Sequence, residues 1–371
     1  SELLSSFLFS LEEPFKNLLA LMHFPLWAQG LFAEGMYRTL AWVVSVMLPP
    51  MAIFFPLFSL LEDLGYLPRV AFNLDHAFKK AGACGKQALT MCMGFGCNAA
   101  GIVGCRIIDS PRERLMAICT NNFVPCNGRF PTMIAIITMF FVGASMPIMQ
   151  TITSTLLLMG VILLGVMTTF KVSSFLNKTI LKGVPSTFIL ELPPYRKPQI
   201  MKTLIHSIFD RTLFVLGRAM AVAAPAGILI WLMANITIGN ATLLVHCAQF
   251  LDPFARLCGL DGYILLAFIL GFPANEIVIP ILIMSYMATG SMIDYENILQ
   301  LKTLFVDHGW TWVTAICTLL FTLMHWPCAT TLLTIKKETQ SWKWTGIAFL
   351  LPTLIGLGLC MIVNLVASIF V

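Results

Sequence analysis

Three cysteines sit where apolar runs lose their capacity to stay helical. Cys97 follows Gly94-Phe95-Gly96 and precedes Asn98, Cys126 follows Pro125 and precedes Asn127, and Cys328 follows Pro327. Glycine and proline are the poorest residues inside a helix, and a broken helix leaves backbone carbonyls without partners. A thiol or thiolate aimed at such a gap can ligate a borderline or soft cation, with freed carbonyls as further ligands. The competing reading is that a free cysteine is simply a small hydrophobe, and it is the favoured one for Cys84, Cys92, Cys119, Cys317 and Cys360, which adjoin no break.

Glu276 is a carboxylate deep in the apolar run Tyr263 to Ala288. An intramembrane acid is costly and marks a functional position by default; the alternative is a structural pair with Arg129 or Arg218. Asn98, Asn127 and Asn275 can offer carbonyl oxygens to a cation or can satisfy broken backbone. Gly94, Gly96, Gly271, Pro273, Pro125 and Pro327 are the expected hinges of this machinery. Glu62, Asp63, Asp75 and His76 read as a solvated face; His325, before the Pro327-Cys328 break, could ligate a metal, but a lone histidine on an apolar helix is more often a packing residue.

These residues must be positioned by membrane helices. Of 371 residues 58% are hydrophobic and only 11% charged, with a mean hydropathy of +0.85, whereas soluble domains carry roughly 25% charged residues. The fold class is an all-α polytopic membrane protein. The net charge of +5 comes from basic residues in short loops, so it does not indicate nucleic acid as a partner; the lipid bilayer is the expected one. The chain begins at Ser1 without a signal peptide, which reads as a piece of something longer. Eleven cysteines in a membrane chain do not make a disulfide framework, although Cys247 and Cys258 share a loop and are a possible pair. No HExxH or GxSxG motif occurs, and Gly82 to Lys86 lacks the spacing of a phosphate loop, so enzymatic chemistry is not expected.

In order, residues 1–36 read as an amphipathic surface segment. Tyr37 to Leu61 is long enough to span a bilayer, which takes about 20 residues, with Pro49, Pro50 and Pro56 expected to kink or break it. Gln87 to Cys105 contains no charge and is split by GFGCN, which reads as a re-entrant hairpin. Leu115 to Met149 breaks at Val124 to Gly128, and Thr151 to Phe170 spans. A cytoplasmic linker, 171–211, divides the chain. Then Thr212 to Ile238 spans, Asn240 to Gly262 is a loop with a possible surface helix, and Tyr263 to Ala288 is split at GFPANE. Gly290 to Gly309 reads as an acidic loop through Asp294, Glu296 and Asp307. Trp310 to Ile335 breaks at Trp326-Pro327-Cys328, and Thr345 to Val371 spans. Trp310, Trp312, Trp342 and Trp344 read as interfacial anchors.

GFGCN answers GFPAN, and Val124-Pro125-Cys126 answers Trp326-Pro327-Cys328, so 37–170 and 212–371 are repeats of one design. Paired interrupted segments at corresponding positions point to a transporter's binding site. Segments 62–86, 106–114, 171–211 and 336–344 hold 17 of the 23 Lys and Arg. All four can face the cytoplasm only if both split segments are re-entrant from opposite sides, which makes the repeats inverted.

LLEDLGYLPRVAFNLD, GFGCNAAGI followed by Arg106-Ile107-Ile108, PRERL, PCNGRFP and FTLMHWPCATT resemble, in this order and over nearly the whole chain, the membrane region of the ferrous iron transport protein B family. The resemblance implies a multi-pass permease of the bacterial inner membrane for Fe²⁺, with two gate repeats like those of nucleoside transporters and a metal path through the motifs of Cys97, Cys126 and Cys328. It also implies control by a GTP-binding domain, with GTP and Mg²⁺ acting only through that domain, which this chain lacks, as it lacks the helical linker domain and a first transmembrane helix. A small cytoplasmic accessory protein and a homo-oligomer are further expected partners. One departure is Asn275 where the family usually places Lys before the Glu, which removes a positive charge and brings Mn²⁺ in as a contender. On this reading Cys97, Cys126 and Cys328 replace part of the ion's water shell, and Glu276, Asn275 and Asn98 add oxygen. The alternatives are another divalent cation, a nucleoside carried by the same architecture, or a non-transporting membrane scaffold.

Overall fold

A computed structural model describes residues 2–142, 147–183, 200–239, 241–292 and 298–370. The amphipathic start forms α1 (Glu2–Ser10), α2 (Glu12–Leu21) and the single turn α3 (Leu26–Gln29). Arg38 binds Glu12 and Lys16 binds Glu34, which ties this segment to the entry of α4 (Arg38–Asp63). A π-helical stretch, Gly30–Tyr37, leads into α4 without a break. Of the two outcomes expected of the prolines, the break does not occur: Pro49, Pro50 and Pro56 lie inside α4, which loses three N–H donors and still continues. Packing against neighbouring helices compensates such losses within a membrane bundle. At 26 residues, α4 is about 39 Å long and serves as a ruler across the bilayer.

The polar segment after α4 forms α5 (Tyr66–Lys80), and the first split run forms α6 (Lys86–Gly96) and α7 (Asn98–Gly104). The only non-helical residue between them is Cys97, at φ −156°, ψ 125°. Lys86 and Arg106 flank this pair, and Lys86 binds Asp109 of the following loop. Both ends of the hairpin therefore lie on one side, as a re-entrant element requires. Next, α8 (Pro111–Thr120) is capped by Ser110 and gives way to a 3₁₀ turn, Asn121–Phe123. Val124 to Cys126 is extended, and a second 3₁₀ turn, Asn127–Arg129, opens α9 (Phe130–Phe140).

The long helix α10 (Pro147–Lys178) crosses the membrane and continues into the segment read as a linker. At the other end of that segment α11 (Ile200–His206) and a π-helical turn run into α12 (Phe214–Asn235). The intervening residues, with Pro193, Pro194 and Pro198, lie outside the described residues. A two-residue antiparallel pair, Thr237–Ile238 with Ala241–Thr242, precedes α13 (Leu243–Leu257), a helix within the segment read as a loop. It meets α14 (Gly262–Leu270) at 110°.

The second split run is α14, the turn Gly271 to Ala274, a 3₁₀ turn Asn275–Ile277 and α15 (Val278–Met287). Asp261, the N-cap of α14, hydrogen-bonds Tyr286 near the end of α15, so this hairpin also returns to the side it entered from. The loop 290–309 contains a helix, α16 (Ile298–Asp307); Asp294 and Glu296 lie outside the described residues. The last elements are α17 (Trp312–Met324), α18 (Ala329–Thr339) and α19 (Trp342–Phe370).

The two hairpins enter from opposite ends of α4. Glu62 and Phe58, at its C-terminal end, line a pocket with Lys86, Met93 and Ile107 from the base of the first hairpin. Arg38, at its N-terminal end, donates to Ser291 Oγ and to the Met292 carbonyl, just beyond the base of the second. The four basic segments meet at the first of these ends. Lys86 binds Asp109, Arg106 binds Glu338, and Arg112 donates to the Gly82 and Gly183 carbonyls. The chain is thus an all-α membrane protein of two inverted repeats.

Three smaller expectations need correction. Trp310 is buried, with Nε1 donating to Tyr286 Oη at 2.7 Å and its ring stacked on Phe305, so it is not a lipid-facing anchor; Trp312 and Trp342 are exposed. Asp75 is not solvated: it is buried, accepting from the Gly85 N–H at 2.8 Å and binding Lys79. Cys247 and Cys258 are both free thiols.

Candidate cation site between the hairpin tips

A cavity of about 30 Å³ lies where the tips of both hairpins meet the breaks of both Pro-Cys helices. Met47 and Met51, near the middle of α4, form one wall, so the cavity sits at mid-depth between the two surfaces. Cys97, Cys126, Cys328, Asn98, Asn275 and Glu276 all line it. Gly96, Asn127, Gly128 and Pro273 do so too, whereas Gly94, Gly271, Pro125 and Pro327 do not. A water molecule needs on the order of 10–15 Å³, so this space holds one or two water-sized bodies, such as an ion with part of its shell.

The thiols share a structural position. Cys97 is the N-cap of α7, Cys328 the N-cap of α18, and Cys126 the N-cap of the turn that opens α9. Each therefore sits before backbone N–H groups that the following turn leaves without an intrahelical partner. The repeat extends to the backbone: Cys126 (φ −83°, ψ 168°) and Cys328 (−62°, 160°) share the same extended region, and Cys97 (−156°, 125°) matches Ala274 (−152°, 119°) within a few degrees. The glycines of GFGCN are helical, and the break rests on one residue.

Glu276 is 6% exposed and stands in the turn before α15. It forms no ion pair among the described residues; Arg129 and Arg218 are engaged elsewhere. Its carboxylate lies over Gly128, whose missing Cβ would fall 2.3 Å from Oε1. This close approach brings the second hairpin's tip onto the first repeat's Cys126 break. As they stand, no three His, Cys, Asp or Glu side chains among the described residues are grouped closely enough to hold a metal ion. The donor set is gathered around one cavity but is not a closed coordination shell.

Asn98 is held inside the protein. It donates to Asn122 Oδ1 and accepts from Asn121, both at 3.3 Å. Asn275 lies between His325 Nε2 (3.2 Å) and Cys126 Sγ (3.9 Å). Nδ1 of His325 faces the carbonyls of Phe321 and Thr322 at 3.1 and 3.0 Å, which makes Nδ1 the donor and, in the neutral tautomer, Nε2 the acceptor. A 180° turn of the Asn275 amide gives Nε2 a donor and turns a carbonyl oxygen toward Cys126. His325 thus does more than pack: it orients Asn275.

Four groups escape sequence reasoning. Arg129 is fully buried and donates to the Asn122 and Leu323 carbonyls at 2.8 and 2.7 Å, and to Asn122 Oδ1 and the His325 and Trp326 carbonyls at 3.0 to 3.3 Å. It caps the end of α17 from the other repeat. Thr330 is buried, lines the cavity and has a hydroxyl without a hydrogen-bond partner. Met47 and Met51 add two thioethers, and their i, i+4 spacing on α4 was the available signal.

Comparison with known proteins agrees with this architecture. Residues 44–141 and 216–342, more than half of the chain, match the Gate family, described as nucleoside recognition, and 158–210 match the ferrous iron transport protein B C terminus. The chain is 30% identical over 351 residues to a protein of Staphylococcus aureus (strain MSSA476) named Fe(2+) transporter FeoB, covering 92% of this chain and 50% of the relative. A Methanocaldococcus jannaschii protein of the same name is 28% identical, with 91% and 50% covered. A Porphyromonas gingivalis protein named as a fusion of Fe(2+) transport protein A and Fe(2+) transporter FeoB is 24% identical, with 81% and 40% covered. The chain spans about half the length of the first two. No solved structure gives a significant match. With paired gate segments on either side of the C-terminal signature, the chain belongs to the Gate family, as the membrane region of ferrous iron transport protein B does.

Proposed function

We propose that this chain is the membrane permease of a bacterial inner-membrane importer of Fe²⁺, working under a nucleotide-binding domain carried by the rest of a longer polypeptide. The observation that carries the reading is the convergence of three helix-capping thiols and one unpaired carboxylate on a single cavity at mid-depth. The names of the relatives support iron as the cargo, and a sulfur and oxygen donor set suits Fe²⁺ while leaving Mn²⁺ as a competitor. Fe²⁺ would enter partly dehydrated between the tips, exchange water for Cys97, Cys126 and Cys328 with oxygen from Glu276 and Asn275, and leave when the hairpins part. Because the donors line the cavity without closing into a shell, binding stays weak enough for release, as conduction requires. The cavity is too small for a nucleoside, which weighs against that cargo despite the family's description. A small cytoplasmic accessory protein fits the fused relative.

The test is Fe²⁺ uptake by proteoliposomes holding the complete polypeptide, with Cys97→Ser, Cys126→Ser and Cys328→Ser compared with the parent. Loss of uptake in each supports the reading; unchanged uptake in all three removes the thiols from it. Mn²⁺ competition decides the metal, and labelled nucleoside uptake tests the other cargo.

A further inference from the structure

The inverted repeat sets four equivalent breaks around the cavity, and only three carry sulfur. Cys126 answers Cys328; Cys97 answers Ala274, whose backbone angles differ from it by only a few degrees. Ala274 is 4% exposed and lines the same cavity. A side chain longer than methyl at this position would enter the space that Cys97 borders from the other hairpin. Two residues beyond Cys126, Gly128 makes room for Glu276, which stands two residues beyond Ala274. The corner that lacks a thiol is thus the corner that supplies a carboxylate.

We infer that Ala274 is a specificity-determining residue, which holds the cavity at three thiols and one carboxylate and so keeps tetrahedral thiophilic cations from being trapped. The inference rests on the proposed cation path. A fourth thiol at the symmetry-related position would offer the Cys₄ set typical of closed structural Zn²⁺ sites. Divalent zinc already outranks Fe²⁺ in intrinsic affinity for most N, O and S donors, so a carrier of Fe²⁺ built on four sulfurs would fill with Zn²⁺ or Cd²⁺ and stall. Three sulfurs leave one direction for oxygen or water, the arrangement of sites that exchange their occupant.

The complete polypeptide, purified in detergent, is titrated with Cd²⁺ while sulfur-to-cadmium charge-transfer absorption is followed; Fe²⁺ uptake is then measured in proteoliposomes with and without Zn²⁺. Ala274→Cys is expected to bind Cd²⁺ about tenfold more tightly or more, the scale on which metal surroundings act. It should also show a stronger charge-transfer band and become sensitive to Zn²⁺ concentrations that leave the parent unaffected. Ala274→Ser, of nearly the same size without sulfur, should leave Cd²⁺ affinity unchanged and serves as the control for packing. If Ala274→Cys has the parent's melting temperature and unchanged Cd²⁺ binding while Cys97→Ser abolishes uptake, the inference fails and the cation path stands. If the three Cys→Ser variants also change neither Cd²⁺ binding nor uptake, the path itself is overturned.

Discussion

Gly128 and Glu276, from opposite repeats, are packed so closely that a single methyl group on Gly128 would fall 2.3 Å from a carboxylate oxygen. The contact is sequence-distant and fixes where Glu276, the acid lining the cavity among the described residues, points. Gly128→Ala is therefore expected to turn Glu276 away without removing it. Because the glycine acts through its neighbour, the effect should be of the size seen when a metal ligand loses its support, roughly 10- to 100-fold in affinity. Cd²⁺ titration of the variant beside Glu276→Gln checks this: equal losses in both are expected, and parental affinity in Gly128→Ala would show that Glu276 does not need its present seat.

Arg129 should be indispensable to folding rather than to binding. It is fully buried, and its guanidinium fork serves five oxygens, three of them carbonyls at the end of α17 and the break beyond it. Arg129→Met would take the donor from the Leu323 and Trp326 carbonyls, while the His325 carbonyl keeps the Asn122 amide at 2.7 Å, at about 1–3 kcal/mol for each stranded group. Arg129→Lys keeps the charge but not the fork. Thermal unfolding in detergent should show Arg129→Met most destabilised and Arg129→Lys between it and the parent. Equal melting temperatures would mean that the break before Cys328 holds without its cap.

The contrast between these residues explains what the sequence could reveal. Cys97, Cys126, Cys328 and Glu276 were legible because proline, glycine and an intramembrane acid violate local rules that any helix must obey. The break at Cys97 is narrower than GFGCN implied, since packing of Gly96 against Phe54 and of Gly101 against Asn121 keeps both glycines helical. Pro49, Pro50 and Pro56 misled in the other direction, because α4 is held by its neighbours and not by propensity. Arg129 and Thr330 were illegible as a site, and His325 as the partner of Asn275, since their meaning comes from partners or from a cavity whose lining runs from Met47 to Thr330.

The base of the first hairpin supplies a pH prediction. The hydrogen bond from Lys86 holds the Asp109 carboxyl below its usual range. For a carboxyl lowered in the folded state, the contribution is complete above the ordinary value, about 3.9, and is lost as pH falls through the lowered one. Between pH 5 and 8 the pair is constant. Asp109→Asn should therefore leave the shape of the uptake profile over that range unaltered, with little change in melting temperature because the side chain is exposed. A profile that shifts in the variant would place a titration of Asp109 inside the working range.

The ends of α7 and α18 remote from the cavity, on the side where the basic segments gather, are joined by Arg106, whose Nε and Nη2 each donate to a Glu338 oxygen at 2.7 Å. The other ends of the same two half-helices begin at Cys97 and Cys328, so on the proposed cation path this bidentate pair ties together the two half-helices that border the cavity. Arg106 is largely exposed, and such pairs contribute only about 0.2–1 kcal/mol. That is too little to change folding, yet enough to shift an opening equilibrium by about 1.4- to fivefold. Glu338→Gln should raise maleimide labelling of Cys97 and Cys328 from the cytoplasmic side by that factor, read by mass spectrometry of the two peptides, while the melting temperature stays put. The charge-swapped double variant Arg106→Glu with Glu338→Arg should return labelling to the parental rate, because it restores attraction between the same two helix ends. Labelling that is unchanged in Glu338→Gln, or that rises equally in the swapped pair, would mean that the helices part without regard to this contact and that the barrier to the cytoplasm lies deeper, at the cavity itself.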